Sequence, residues 1–298
     1  MELSRIEIDH KPIFDKYFKS YNPQISEFTF TNLFIWRDFY NLSFTELNGF
    51  LVIIAEPYKE APFSFMFVGD SGGDAFYETY CRVGEYFKSK GWRLKFERVD
   101  EQFLELLRKY SKDELEFYLD DKNSDYVYLT ENLISLRGKK LHGQKNHVNR
   151  FLKEYENEYI PLTVEHVDEC LRIMEEWCAE KYCHCSRGPY CEKHANAELL
   201  KNWEVLGCKG ALIKVNGKFK AYTIGEMLNT DTAVIHIEKA DSKVNGLYSF
   251  INQQFCKNEF SNVPYVNREQ DMGEEGLRKA KRSYHPVRMV DKYIILKK

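Results

Sequence analysis

The feature that most constrains this chain is an order of elements that occurs twice. In the second half, Asn216-Gly217 lies between the apolar, β-prone runs Ala211–Val215 and Phe219–Met227, the pattern of a tight hairpin. A third run, Thr232–Glu238, follows across the short polar turn Asn229-Thr230-Asp231, which suits an antiparallel neighbour. After Lys239–Gly246, Leu247, Phe250, Ile251 and Phe255 recur at helical spacing. A short strand at Val263–Val266, a polar loop from Asn267 to Gly273 and a basic helix over Glu274–Ser283 come next. Pro286 ends that helix before a last strand, Val287–Leu296.

The first half runs through the same order. Asn48-Gly49 anticipates Asn216-Gly217, Trp36 anticipates Trp203, and a strand near Phe63 anticipates the one at Thr232, at offsets of about 167–169 residues. A helix with Phe76, Tyr80, Val83 and Phe87 on one side ends at Gly91, as a glycine beyond a helix C-terminus would end it. Strand Trp92–Glu97, a helix carrying Phe103, Leu107 and Tyr110, and strand Leu115–Leu119 complete the copy. Element order and spacing repeat, while residue identity is slight. The pattern predicts an α/β fold with mixed sheets in two similar domains, 1–135 and 155–298, the second closed by the strand at 287–296. Residues 136–154 form a junction between them.

With 298 residues the chain can bury roughly three quarters of its unfolded surface, so it needs neither a disulfide framework nor a structural metal. Lys plus Arg is 43 against 46 Asp plus Glu, a net charge of −3, so any polyanion-binding surface has to be local. One such place is the junction: Arg137 to Lys153 carries six Lys or Arg and no acid. The mixed charges of the N-terminus do not make a signal peptide, and no run approaches the ~18 apolar residues of a membrane span, so a cytoplasmic location is expected. Cys183, His184, Cys185, Cys191 and His194 supply zinc-type ligands at irregular separations, so no metal is expected there.

Three separated motifs add a resemblance. Residues 26–37 (SEFTFTNLFIWR), the junction ending Asn149-Arg150-Phe151, and Asn267-Arg268-Glu269-Gln270-Asp271-Met272-Gly273 with Gly276–Lys281 and Tyr284-His285-Pro286 resemble a bacterial family of unknown function. That family is related to the C-terminal domain of phosphatidylglycerol lysyltransferases. The resemblance covers essentially the whole chain and implies a tandem pair of GNAT-like (GCN5-related N-acetyltransferase-like) domains, similar to Fem-type transferases that move an aminoacyl group from tRNA. Fold alone does not fix function. The expectation is transfer of an activated acyl group, from aminoacyl-tRNA or acyl-coenzyme A, to a small-molecule, peptide or lipid acceptor. A binding protein with a degenerate cleft is the alternative.

Candidate residues follow from this frame. A coenzyme A loop in GNAT enzymes reads Q/R-x-x-G-x-G/A; here Lys243, Asn245 and Gly246 stand at the start of the helix at Leu247, but Tyr248 occupies a position that needs a tiny residue. That departure counts against coenzyme A, and Gly246 is equally read as serving the backbone alone. In the polar segment after the strand at 263–266, Glu269 and Asp271 are placed to accept a proton, and Asn267, Arg278, Lys281 and Tyr284 to hold or protonate negative charge. A solvated helix capped by Asp271, with Glu274 paired to Arg278, explains the same residues. Glu226 and Glu238 lie on central strands, and Glu238, at a strand end, is the one expected in the cleft. Arg137, Lys139, Lys140, Lys145, Asn149 and Arg150 would track tRNA phosphates, or line the wet side of a helix packed through Val148, Phe151 and Leu152.

Overall fold

A computed structural model describes residues 1–69, 72–180 and 192–298, and two compact units divide them: Met1–Ser124 with Val290–Lys298, and Asp125–Met289. In chain order the strands are β1 (Ser4–Arg5), β2 (Leu42–Leu47), β3 (Phe50–Ala55), β4 (Phe63–Phe65), β5 (Lys95–Val99), β6 (Leu115–Leu119), β7 (Asp125–Leu129), β8 (Asn157–Pro161), β9 (Lys209–Val215), β10 (Lys218–Met227), β11 (Thr232–Ala240), β12 (Tyr265–Asn267), β13 (Arg288–Val290) and β14 (Tyr293–Lys297). Both Asn-Gly turns form as expected. Asn48 and Gly49 have φ of 51° and 82°, Asn216 and Gly217 of 49° and 77°, the geometry that twists two strands back on each other.

The first sheet runs β1-β2-β3-β4-β5-β14-β6, and the second, read from its other edge, runs β8-β9-β10-β11-β12-β7-β13. In each, the first four strands are antiparallel to their neighbours, the fourth and fifth are parallel, and the sixth is antiparallel to the fifth. The two units therefore share one topology, the tandem GNAT-like arrangement.

The sixth place in each sheet corrects the expected boundaries. The expected closing strand, 287–296, is two strands: Arg288–Val290 remains in the second sheet, while Tyr293–Lys297 enters the first sheet between β5 and β6. In return β7, expected inside the first domain, pairs with β12 in the second sheet. The units consequently change over at 124/125 and again at 289/290, not at 135 and 155. Local pattern could not show this, because an alternating strand suits any sheet whose core face matches it. The junction is likewise no linker. Residues 139–141 and the helix His142–Glu154 belong to the second unit, where Leu141, Val148 and Phe151 are buried with the core.

The exchange is locked by charge in the first unit. Lys292, fully buried beside β14, donates to Glu27 at 2.5 Å, and Glu27 also faces Arg98 Nε at 2.9 Å. Two buried cations thus stabilise one carboxylate, and their pull outweighs burial, leaving the Glu27 pKa below its usual range. Removing Lys292 leaves buried Glu27 with Arg98 alone to offset its desolvation. Lys292→Met is expected to destabilise the first unit by about 3–5 kcal/mol in chemical denaturation, and Lys292→Met combined with Glu27→Leu by less, since the double replacement leaves less buried charge unpaired.

Candidate functional site

The parallel pairing of β11 with β12 covers only three positions, Thr232–Val234 on Tyr265–Asn267, although β11 continues to Ala240. Past that point side chains, not backbone, span the gap between the two strands. On its other edge β11 stays paired with β10, but Ile224 matches Ile237 while Gly225 matches Ile235. His236 is the extra residue of this bulge, a device that re-aims a side chain. Gly225 permits it: a Cβ there would come within 2.4 Å of the Val234 carbonyl oxygen.

The re-aimed imidazole is almost wholly buried and lies between two carboxylates. His236 Nε2 is 2.9 Å from Glu226 Oε1, and Nδ1 is 2.9 Å from Glu269 Oε1. Burial alone would lower the histidine pKa; the hydrogen bonds and charges of the two glutamates overcome it and push the pKa up to about 9. At neutral pH the ring is therefore an imidazolium donating from both nitrogens. Glu269 is held in a left-handed conformation, φ 57°, with its N–H donating to Asn267 Oδ1 at 2.7 Å. A non-glycine residue in that region costs of order 1 kcal/mol or more, and such strain gathers at functional sites.

A second polar link spans the same gap. Glu238 accepts from Arg268 Nη2 at 2.9 Å and from Asn252 Nδ2, on the helix Leu247–Glu259, at 3.0 Å. The Arg268 guanidinium lies 4.8 Å from the Tyr284 ring centroid. Tyr284 itself is buried, donates to Ser249 Oγ at 3.2 Å and has its pKa raised by burial. It forms a wall under the arginine and is not placed as an acid.

The other residues expected in the cleft organise the loop after β12. Asp271 is fully buried and accepts from Arg278 Nε at 2.7 Å and Nη2 at 3.0 Å, Tyr126 Oη at 2.6 Å and the Gly273 N–H at 2.8 Å. Against the effect of burial, these donors hold its pKa near about 2. A carboxylate so occupied is a loop anchor, not a proton acceptor, and Arg278 gives it two of its donors. Lys281 is also buried; its Nζ donates to the carbonyls of Arg268, at 2.6 Å, and Gln270, and burial brings its pKa down to about 8. Asn267 donates to Asp125 at 3.0 Å, and the backbone of Tyr126 pairs with that of Arg268 and Glu269. Exchanged strand β7 thus backs the loop that presents Arg268 and Glu269.

The expected donor loop is built differently from an anion cradle. Lys243 and Asn245 are exposed, and Lys243 pairs with Glu180 at 2.7 Å. Gly246 has φ 81°, and a Cβ on it would come within 2.2 Å of the His147 carbonyl oxygen. The glycine serves the approach of the helix His142–Glu154, whose Phe151 stacks on Phe250 at 4.5 Å. On that helix and the turn before it, Arg137, Lys139, Lys140, Lys145, Asn149 and Arg150 are all exposed, with Arg150 paired to Glu154 at 2.7 Å. Leu152, expected inward, is exposed because it lies off the face that carries Val148 and Phe151. Gln144 donates to Ser283 at 2.7 Å, placing the basic helix next to Glu275–Arg282, where Lys279 and Arg282 are also exposed. Cys183, His184, Cys185 and Cys191 lie outside the described residues; among those described, no group of three or more His, Cys, Asp or Glu could hold a metal.

The equivalent place in the first unit is filled. Its last parallel pair, Phe65 with Glu97, matches Val234 with Asn267, so Phe67 stands where His236 does and Arg98 where Arg268 does. Phe67 packs on Phe103, Phe96 and Phe76 at centroid distances of 5.2, 5.6 and 5.9 Å, and Val68 pairs back onto Leu51. Sequence reasoning preferred Glu238 to Glu226 and missed His236. The signals were present: one histidine inside an apolar strand, and a glycine, Gly225, inside its neighbour, where glycine marks a bulge.

Comparison with known proteins gives a consistent picture. The family model described as phosphatidylglycerol lysyltransferase, C-terminal, matches residues 18–296. A crystal structure of a conserved protein of unknown function from Bacteroides thetaiotaomicron is 31% identical, with all of both chains covered and a TM-score of 0.93. The C-terminal domain of a putative lysylphosphatidylglycerol synthetase from Agrobacterium fabrum shares the fold at 13% identity, covering 98% of this chain and 91% of that one, TM-score 0.68. FemX does so at 10% identity, covering 99% and 97%, TM-score 0.63. An uncharacterised protein from Mycoplasmoides gallisepticum is 24% identical over 177 residues, 59% of this chain and 56% of that protein, so the match spans little more than half of that relative. Among the described residues no helix is long and apolar enough to cross a membrane.

Two measurements separate anchors from reactive groups. Asp271→Asn is expected to cost about 2–4 kcal/mol of stability, since Arg278 would lose its buried counter-charge. The wild-type contribution is complete above the unfolded pKa of 3.8 and fades as pH falls through about 2, so the variant's urea midpoint should vary less across that acid range. His236 acts in the opposite sense. Its stabilisation is complete below 6.5 and is lost as pH rises through about 9, and in His236→Asn that alkaline loss should vanish from the denaturation series.

Proposed function

Because the chain belongs to the family of phosphatidylglycerol lysyltransferase C-terminal domains, we propose that it is an aminoacyltransferase-type enzyme whose reaction runs at the gap between β11 and β12 of the second unit. The observation that carries this reading is the contrast between the two copies of one topology. In the second unit the place is lined by Glu226, His236, Glu238, Arg268 and Glu269, whereas in the first Phe67 stands among phenylalanine rings where His236 does, and the arginine position alone keeps its charge, Arg98 being held by Glu27, Glu97 and Asp120. Burying an ionisable ring between carboxylates is costly, and the second unit alone does so at the position that the other copy fills with Phe67.

An activated ester needs little from side chains once donor and acceptor are held together. The requirements are one proton acceptor and fixed dipoles where negative charge develops. The second unit offers partly exposed carboxylates on a rigid support for the first. For the donor, aminoacyl-tRNA fits better than acyl-coenzyme A. Gly246 is occupied by a helix contact, Lys243 by Glu180, and Tyr248, whose hydroxyl accepts from Trp177 Nε1 at 3.0 Å, has a side chain where pyrophosphate would need bare backbone. Exposed Lys139, Lys140 and Lys145, with Lys279 and Arg282, supply cations of the kind that follow a polynucleotide backbone. The acceptor is an amine or a hydroxyl.

The test is a panel of charged tRNAs with the full chain at low salt. Retention and accelerated loss of the ester are expected for at least one. Replacing Lys139, Lys140 and Lys145 together by Ala should weaken retention and make its salt dependence shallower, by about 0.7–0.9 in the logarithmic slope for each phosphate that is no longer neutralised. A chain that neither retains nor deacylates any charged tRNA, but is stabilised by an acyl-coenzyme A, would overturn the choice of donor.

A further inference from the structure

We propose that Glu226 is the group that takes the proton from the attacking acceptor, with His236 and Glu269 as positioning residues behind it; this assignment rests on the transferase reading above. Four carboxylates border the gap. Asp271 has both oxygens committed, to Arg278, Tyr126 and a backbone N–H. Glu238 also has both committed, one to Arg268 and one to Asn252. Glu269 gives Oε1 to His236 and takes part in a further interaction besides, and its backbone is locked by Asn267 and β7.

Glu226 differs. Its Oε1 is fixed by His236 Nε2, while its Oε2 has no hydrogen-bond partner among the described residues, and its side chain keeps 16% of its surface exposed. Neither nitrogen of His236 is open to substrate, because each already donates to a carboxylate, so the imidazole cannot itself be the base. The order of the three groups is then Glu269, His236, Glu226. The first, on the loop braced by β7, orients the ring through Nδ1; the ring fixes one oxygen of the last; the last presents its free oxygen. The bulge at His236 is what lets a β11 residue reach the glutamate near the end of β10: past it Glu226 lies opposite Val234, two residues from His236 and on its face, whereas regular register from the Ile224–Ile237 pair would set Glu226 opposite Ile235 and His236 on the other face.

The step balances without a further reactant. The acceptor's N–H or O–H proton passes to Glu226 Oε2 as its lone pair forms the new bond to the acyl carbon. The bond from that carbon to the ribose oxygen of the donor breaks, and the proton returns from Glu226 to that oxygen. Nothing is oxidised or reduced.

Single-turnover transfer is measured with bulk tRNA charged with a mixture of radiolabelled amino acids, using glycerol and glycinamide as an alcohol and an amine acceptor. Glu226→Gln is expected to lower the rate constant by about 10²–10⁴-fold with tRNA retention unchanged, and Glu226→Asp to restore part of it. In ¹⁵N spectra of histidine-labelled protein at pH 7.5, the ring assigned by its absence in His236→Asn should be doubly protonated in wild type. Glu226→Gln should weaken that protonation while the fold, judged by the rest of the spectrum, persists. Wild-type transfer that survives intact in Glu226→Gln overturns the assignment and leaves the transferase reading standing. Absence of any wild-type transfer overturns that reading and this assignment with it. A neutral His236 ring at pH 7.5 overturns the positioning role.

Discussion

Everything specific about the second unit depends on where the backbone pairing of β11 and β12 stops. Three residues pair, and then the fifth strand ends while the fourth continues. A sheet interrupted in this way leaves backbone polar groups and a gap in the core, and the protein can resolve that in two ways. The first unit does so with phenylalanines, an extra backbone bridge to β3, and Arg98 tied to Glu27, Glu97 and Asp120. The second does so with charges that satisfy one another across the gap, Glu226 and Glu269 around His236, and Glu238 with Arg268 and Asn252.

Such charges hold only if the loop that carries two of them is immobile. Asp271, Lys281 and Asn267 supply that. Each is buried, and each bonds either to the loop's own backbone or to an element behind it. The backing element is β7, which reached the second sheet through the strand exchange, so that exchange also braces the candidate reactive loop. A strained residue such as Glu269 persists because its surroundings over-determine it.

Much of this was legible residue by residue. The Asn-Gly turns, the helix at Leu247 and the polar stretch from Asn267 stand out because turn chemistry and periodicity are local properties. The roles within the stretch were not. Asp271, Lys281 and Tyr284 are residue types that catalyse as readily as they anchor, and only their burial and the number of partners around each tells the two apart. Gly246 is similar: a glycine before a helix reads as an anion loop, and the carbonyl of His147 shows it to be a packing contact.

The chain's own residues, then, determined the order of elements in each half, the two hairpins and the concentration of polar groups after the fifth strand of the second copy, because each follows from neighbours in sequence. Tertiary structure decided which sheet receives β7 and β14, which copy keeps a polar gap, and that Glu226 meets Glu269 through His236. The last of these joins His236 to a residue 33 positions further on, and a strand carries no mark of the sheet it will complete. Only the summed fit of core faces, bulge and buried charge selects among the pairings that local pattern leaves open.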